Sequence, residues 1–156
     1  MKRYLVFSLL LILSLSACKL DLSSNINIGD LNRVALSQEG GVTGGGTIKL
    51  EVGSMDHCQN ESQFFASALE NHFQDFKIRP CEQVGMETYF VAGFQIPILH
   101  SAKDWPEKSN SMIAIIATRS SQIGGVEVEL LLNQARFRTI NKAIEAKYFQ
   151  KLDFAR

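Results

Sequence analysis

The chain lacks most of the side chains and spacings that announce a chemistry. In 156 residues it has one tryptophan, three prolines, three histidines and three cysteines. No Cys-x-x-Cys and no His-x-x-x-His pair is present, and those are the spacings by which zinc sites usually show themselves. The body of the chain has no Gly-x-Ser-x-Gly and no Ser-x-x-Lys; Ser101-Ala102-Lys103 falls one residue short. Charge of one sign is also missing. Sixteen basic residues face 16 acidic ones, which excludes a basic nucleic-acid binder and a charged disordered tail. Collagen-like periodicity and internal repeats are absent too. No apolar run reaches the ~20 residues that cross a bilayer.

What the chain does have is concentrated at its start. Lys2 and Arg3 precede Tyr4 to Leu15, an apolar run of 12 residues interrupted by two serines, and Ser16 and Ala17 follow. A basic flank, a short apolar core and small residues make up a secretory signal peptide. Residues 1–17 hold 12 of the chain's 71 apolar residues. Without them the balance is 14 basic against 16 acidic groups, with enough apolar material left for one modest core.

Leu15-Ser16-Ala17-Cys18 looks like a lipobox, and the first 18 residues resemble those of bacterial lipoproteins. The resemblance implies that the Cys18 thiol receives a diacylglyceryl group, that cleavage leaves Cys18 as the first mature residue, and that its new amino group is acylated, commonly with palmitate. Two or three acyl chains hold a protein stably on a membrane, where one gives only marginal binding. The other reading is a plain secretory peptide cleaved beside an incidental cysteine. In enterobacterial-type sorting, Asp after the cysteine retains a lipoprotein in the inner membrane. Here that position is Lys19, with Asp21 two residues on, so the resemblance implies the outer membrane, facing the periplasm. The body more loosely resembles small uncharacterised lipoproteins carried by phages and other mobile elements, which implies no particular activity.

Setting Cys18 aside leaves Cys58 and Cys81. An even remainder in an exported chain reads as a disulfide, worth about 3 kcal/mol for a loop of this size. The competing reading is a metal site built on Asp56-His57-Cys58 with His72 and His100. It lacks close ligand pairs, so no metal and no cofactor is expected.

Along the body, Leu20, Leu22, Ile26 and Ile28 alternate with polar residues, a strand or an extended tether. Asp30 is placed to cap a short helix holding Leu31, Val34 and Ala35. Gly40-Gly41-Val42-Thr43-Gly44-Gly45-Gly46 lacks the Gly-Lys-Ser/Thr ending of a phosphate loop and reads as a flexible linker or hairpin end. Thr47 to Val52 alternates as a strand with Ile48, Leu50 and Val52 inward. A helix is expected at about 60–74, capped by Asn60 or Ser62 and striped by Phe65, Leu69, His72, Phe73 and Phe76. Residues 76–84 and 87–99 read as strands, with Pro80 and Pro97 at edges, ends or a bulge. A polar loop carrying Asp104, Trp105 and Glu107 precedes a hairpin of 112–117 and 126–132 around Gly124-Gly125. A helix at about 133–150, striped by Phe137, Ile140, Ile144 and Tyr148 with a basic opposite face, closes the chain.

These elements predict an α+β fold: a two-layer sandwich with a mostly antiparallel sheet of about five strands and two main helices. The expected divisions are a signal peptide at 1–17, a lipidated tether at 18–46 and a globular domain at 47–156. Function divides into two classes. One is a membrane-tethered interaction module, held by Cys18 and binding an envelope protein, peptidoglycan or a phage component, with no nucleic acid. The other is a small envelope enzyme or ligand binder that uses the Trp105 loop or His57, His72 and His100.

Overall fold

A computed structural model describes residues 20–37, 40–105, 111–122 and 124–153, with the side chains of these except 145 and 147–153. The expectations for Cys18, the signal segment, Glu107 and Tyr148's side chain therefore lie outside the described residues. The described elements are β1 (Leu20–Asn25), α1 (Ile28–Ser37), β2 (Val42–Glu51), α2 (Met55–Leu69), β3 (Gln74–Val84), β4 (Glu87–Leu99), β5 (Ile113–Arg119), β6 (Val126–Leu132) and α3 (Gln134–Asp153). Single 3-10 turns stand at Glu70–His72 and Ala102–Asp104.

The fold is α+β, with one six-stranded sheet in the order β1-β2-β4-β5-β6 and β3 also paired to β4. Every pairing is antiparallel except β4 with β5, where Ile98 and Leu99 lie beside Ile115 and Ile116. β4 is the spine. β2 runs along one of its edges, while its other edge carries β3 up to Gln95 and then β5 from Ile98. Pro97 sits at that handover, where a missing backbone donor leaves no gap in a ladder.

Side chains alternate between the faces of a strand, so register decides which residues meet. Ile48, Leu50, Phe90, Phe94, Ile96 and Ile98 share one face, and the helices lie on it. Val34 and Ala35 of α1, Cys58, Phe65 and Leu69 of α2, and Ile140 of α3 complete that core. Phe73 packs on Phe94 with ring centroids 4.4 Å apart, and Phe65 on Phe90 at 5.4 Å. Each such buried side chain contributes about 1.5–3 kcal/mol by leaving water. On the opposite face a small second cluster joins Leu99, Ala114 and Ile116 to Trp105 and Leu131. Trp105 thus closes the β4–β5–β6 part of that face, and among the described residues the β1–β2–β4–β3 part stays open.

Four expectations are corrected. The glycine segment is no linker: Val42 to Gly46 is the first half of β2, paired to β1 and to β4. Of the two readings of the alternating Leu20 and Leu22, the strand holds: they lie in β1, an edge strand of the same sheet, so part of the expected 18–46 tether belongs to that sheet. The α2 helix starts five residues early. Ser54 Oγ accepts the His57 amide at 3.2 Å, which satisfies a first-turn donor before Asn60 or Ser62 is reached. It also ends early, because Phe73 turns extended and the His72 carbonyl accepts the Met112 amide at 2.6 Å instead of continuing a helix. Likewise α1 begins ahead of Asp30, with Asn27 Oδ1 accepting from the Gly29 amide at 2.8 Å; Asp30 instead pairs with Arg33.

Candidate functional site

Polar side chains collect on the open half of the sheet. Three cross-strand rows define it, running from β2 over β4 to β3: Gly45, Gln95 and Gln74; Thr47, Gly93 and Lys77; Lys49, Val91 and Arg79. All face away from the helices. Between them lies a groove of about 380 Å³, lined among others by Gly45, Asp75, Lys77, Arg79, Gly93 and Gln95.

Glycine makes the depression. A Cβ built on Gly93 would stand 2.8 Å from Arg79 Nη2, so the guanidinium lies directly over the bare Gly93 backbone. Gly45, in the next row, has room for a Cβ, with the Asn25 carbonyl in ordinary contact at 3.8 Å. On the buried side Gly46 serves a different purpose. Its missing Cβ would be 2.5 Å from the Phe94 ring, so its absence lets that ring lie against β2.

Two bulges in β3 aim the rim. The register gains one residue between Gln74 and Lys77 and one between Arg79 and Glu82, each time against two residues of β4. Pro80 falls in the second bulge, where a ladder donor is not required. Asp75 falls in the first with φ 50°, the left-handed region that Asp tolerates better than most residues. The extra residues keep Lys77 and Arg79 on the open face.

The electrostatics are uneven. Lys49 Nζ reaches across β4 to Glu82 Oε2 at 2.5 Å, and Val91 beneath that bridge is fully buried. Lys77 and Arg79 are exposed and have no ion-pair partner among the described residues. Two cations, the Gln95 amide and one carboxylate at Asp75 line the groove, and guanidinium and ammonium donors of this kind can bond a carboxylate or another anionic group.

The residues nominated from the sequence lie elsewhere. Cys58, on α2, is joined to Cys81, on β3, by a disulfide with Cα atoms 6.3 Å apart, on the helix side of the sheet. His57 is in the first turn of α2 and His72 follows its end, so a helix of 15 residues, about 22 Å long, separates them. His100 follows β4. Burial holds the His72 imidazole below its ordinary pKa of 6.5, helped by the nearby Arg136 cation. No group of three or more metal-ligating side chains occurs among the described residues. Trp105 is packed into the second apolar cluster, and its Nε1 and His100 Nδ1 find no hydrogen-bond partner among the described residues.

Sequence reasoning did not single out Lys77, Arg79, Gly93 or Gln95. One signal was available: a glycine inside a strand, as Gly93 is, marks a bulge or a close approach of another group. The cations themselves carry no local signature, since only the register of three strands brings them together.

No curated protein and no solved structure matches the chain. A family model matches residues 20–155, beginning at the first residue of β1. The chain therefore belongs to the DUF7424 family, described as a domain of unknown function.

Proposed function

We propose that this protein is a lipoprotein of the bacterial envelope, anchored through Cys18, and that its sheet groove binds a partner there through a carboxylate or other anionic group. The anchor is supported by Leu15-Ser16-Ala17-Cys18 behind a basic flank and a short apolar run. Lys19 after the cysteine favours the outer membrane with the domain facing the periplasm. The observation that carries the binding reading is the pair Lys77 and Arg79, both exposed and without an ion-pair partner among the described residues, at the rim of a groove with Gly93 in its floor. The Arg79 guanidinium over the bare Gly93 backbone, with Lys77 in the same cross-strand row as that glycine, offers charged donors to an incoming anion. A partner in the envelope is either an acidic protein segment or the carboxylates of peptidoglycan stems.

The test is crosslinking in intact cells, with a photoreactive residue placed at Thr47 beside the groove. The expected result is a discrete adduct that disappears when Cys18 is replaced by a non-lipidated export signal. Arg79→Glu should reduce that adduct about tenfold or more, the scale of one lost charge-assisted hydrogen bond. An adduct insensitive to Arg79→Glu would exclude the groove as the contact. The absence of any adduct would count against a binding module.

A further inference from the structure

We infer that the β3–β4 turn, Val84-Gly85-Met86, is a second membrane contact that stands the sheet upright on the bilayer. The inference rests on the proposed lipidation of Cys18 and adds the orientation in which that anchor holds the domain.

The first observation is the shortness of the leash. β1 begins at Leu20, two residues after Cys18, and two residues of chain span at most about 7 Å, whatever path they take. A lipidated Cys18 therefore brings one particular end of the sheet to the headgroups. Register identifies that end. Leu20 pairs with Leu50, and Leu50 with Phe90, so the start of β1 is level with the start of β4. The β3–β4 turn projects from that same end. Met86 precedes Phe90 by four residues, which carries the turn about 13 Å beyond the Leu20 row at ~3.3 Å per residue. Sideways, the turn is two to three strand spacings from β1, about 12 Å.

The second observation is what the turn presents. Met86 is 95% exposed and Val84 59% exposed, with Gly85 at φ 63° making the tight turn between them. Gln83 to Met86 carries no charge, and of the two flanking carboxylates Glu82 is paired with Lys49 and Glu87 accepts from the Tyr89 hydroxyl. An uncharged tip with its apolar side chains largely exposed among the described residues projects past the point where the acyl chains would enter the bilayer. Hydrocarbon is the surface that matches both its chemistry and its position. With the strands upright, Gly93 and the groove stand about 23 Å above the tip, seven residues up β4, and open sideways. Trp105 lies at the far end of the sheet, packed beside Leu99.

The test uses the full-length protein, exported and purified with its own amino terminus, then reconstituted into phosphatidylcholine vesicles with brominated acyl chains. Three forms are compared: the wild type, whose single tryptophan is Trp105, Met86→Trp at the tip, and Leu130→Trp. Leu130 is 67% exposed in the Ile98 row at the opposite end of the sheet. Both substitutions are at exposed positions and leave the core intact. Bromine should remove most of the added emission of Met86→Trp and leave the wild type and Leu130→Trp unchanged. The mass of the amino-terminal residue is measured on the same samples. If Cys18 is acylated and Met86→Trp is not quenched, the tip does not touch the membrane and the inference fails alone. If Met86→Trp and Leu130→Trp are quenched equally, the domain lies flat and the inference is again wrong. If Cys18 carries no acyl group, the anchor reading fails and this inference falls with it.

Discussion

At the scale of single residues, Gly46 and Gly93 occupy neighbouring strands and do opposite work on the two faces of one sheet. A Cβ at Gly46 would collide with the Phe94 ring, which is held by Phe73 on its other side. Nothing in that stack can yield cheaply. Gly46→Ala should cost about 1–3 kcal/mol, the usual penalty of overpacking a core, and urea unfolding would read it directly. At Gly93 the obstructing atom is the far end of the flexible Arg79 side chain, which can swing into solvent. Gly93→Ala should change stability by less than about 1 kcal/mol while weakening whatever the groove holds, because its floor rises and its guanidinium moves. His72 makes a prediction in pH. Burial and Arg136 lower its folded pKa beneath 6.5, so the unfolded chain takes up the proton first. The stability this neutral imidazole allows is present above pH 6.5 and is lost as pH falls below it towards the folded value. Urea midpoints at about pH 7.5 and about pH 5.5 should differ more for the wild type than for His72→Gln. An equal difference in both would place the pH dependence on other groups.

At the scale of elements, the disulfide joins the first turns of α2 to the bulged middle of β3 across 23 residues. Replacing both Cys58 and Cys81 by serine should lower unfolding stability by about 3 kcal/mol without removing the fold, since the core also includes Phe65, Leu69, Phe90 and Phe94. Unfolding curves with and without a reductant would show the same loss in the wild type. The elements also differ in how far they could be read in advance. Thr47 to Val52, the strands at 76–84 and 87–99, and the hairpin around Gly124-Gly125 were legible, because alternation and turn residues act locally. The stretch from Val42 to Gly46 was not. Glycine has no side chain to alternate, so only pairing with β1 and β4 makes it a strand. The start of α2 was missed because Ser54 caps a turn with few apolar residues, Met55-Asp56-His57, which carries no stripe. The parallel contact of β4 with β5 and the two β3 bulges come from tertiary pairing and have no signal along the chain. The groove inherits that difficulty, since Lys77, Arg79, Gly93 and Gln95 meet only through register.

At the scale of the whole molecule, the two faces of the sheet are unlike. One carries the three helices, which bury its β2–β4–β5 centre and leave Val128, Leu130 and Leu132 of β6 exposed at its edge; among the described residues the other is closed at its β4–β5–β6 part by Trp105 and is open and polar over β1, β2, β4 and β3. Because β1 begins only two residues after Cys18, an anchor there would give the domain little reach. Such a protein would bind what comes to the membrane surface and would not search at a distance from it. That picture depends on the chemistry of one atom, the Cys18 sulfur. The most direct measurement is therefore the intact mass of the mature protein extracted from cell membranes, with fragmentation of its amino-terminal peptide. The account predicts a chain that starts at Cys18 and carries a thioether-linked diacylglyceryl group, with or without a further acyl group on its amine. A mature chain with a free or disulfide-bonded Cys18, or one that retains residues 1–17, would contradict it.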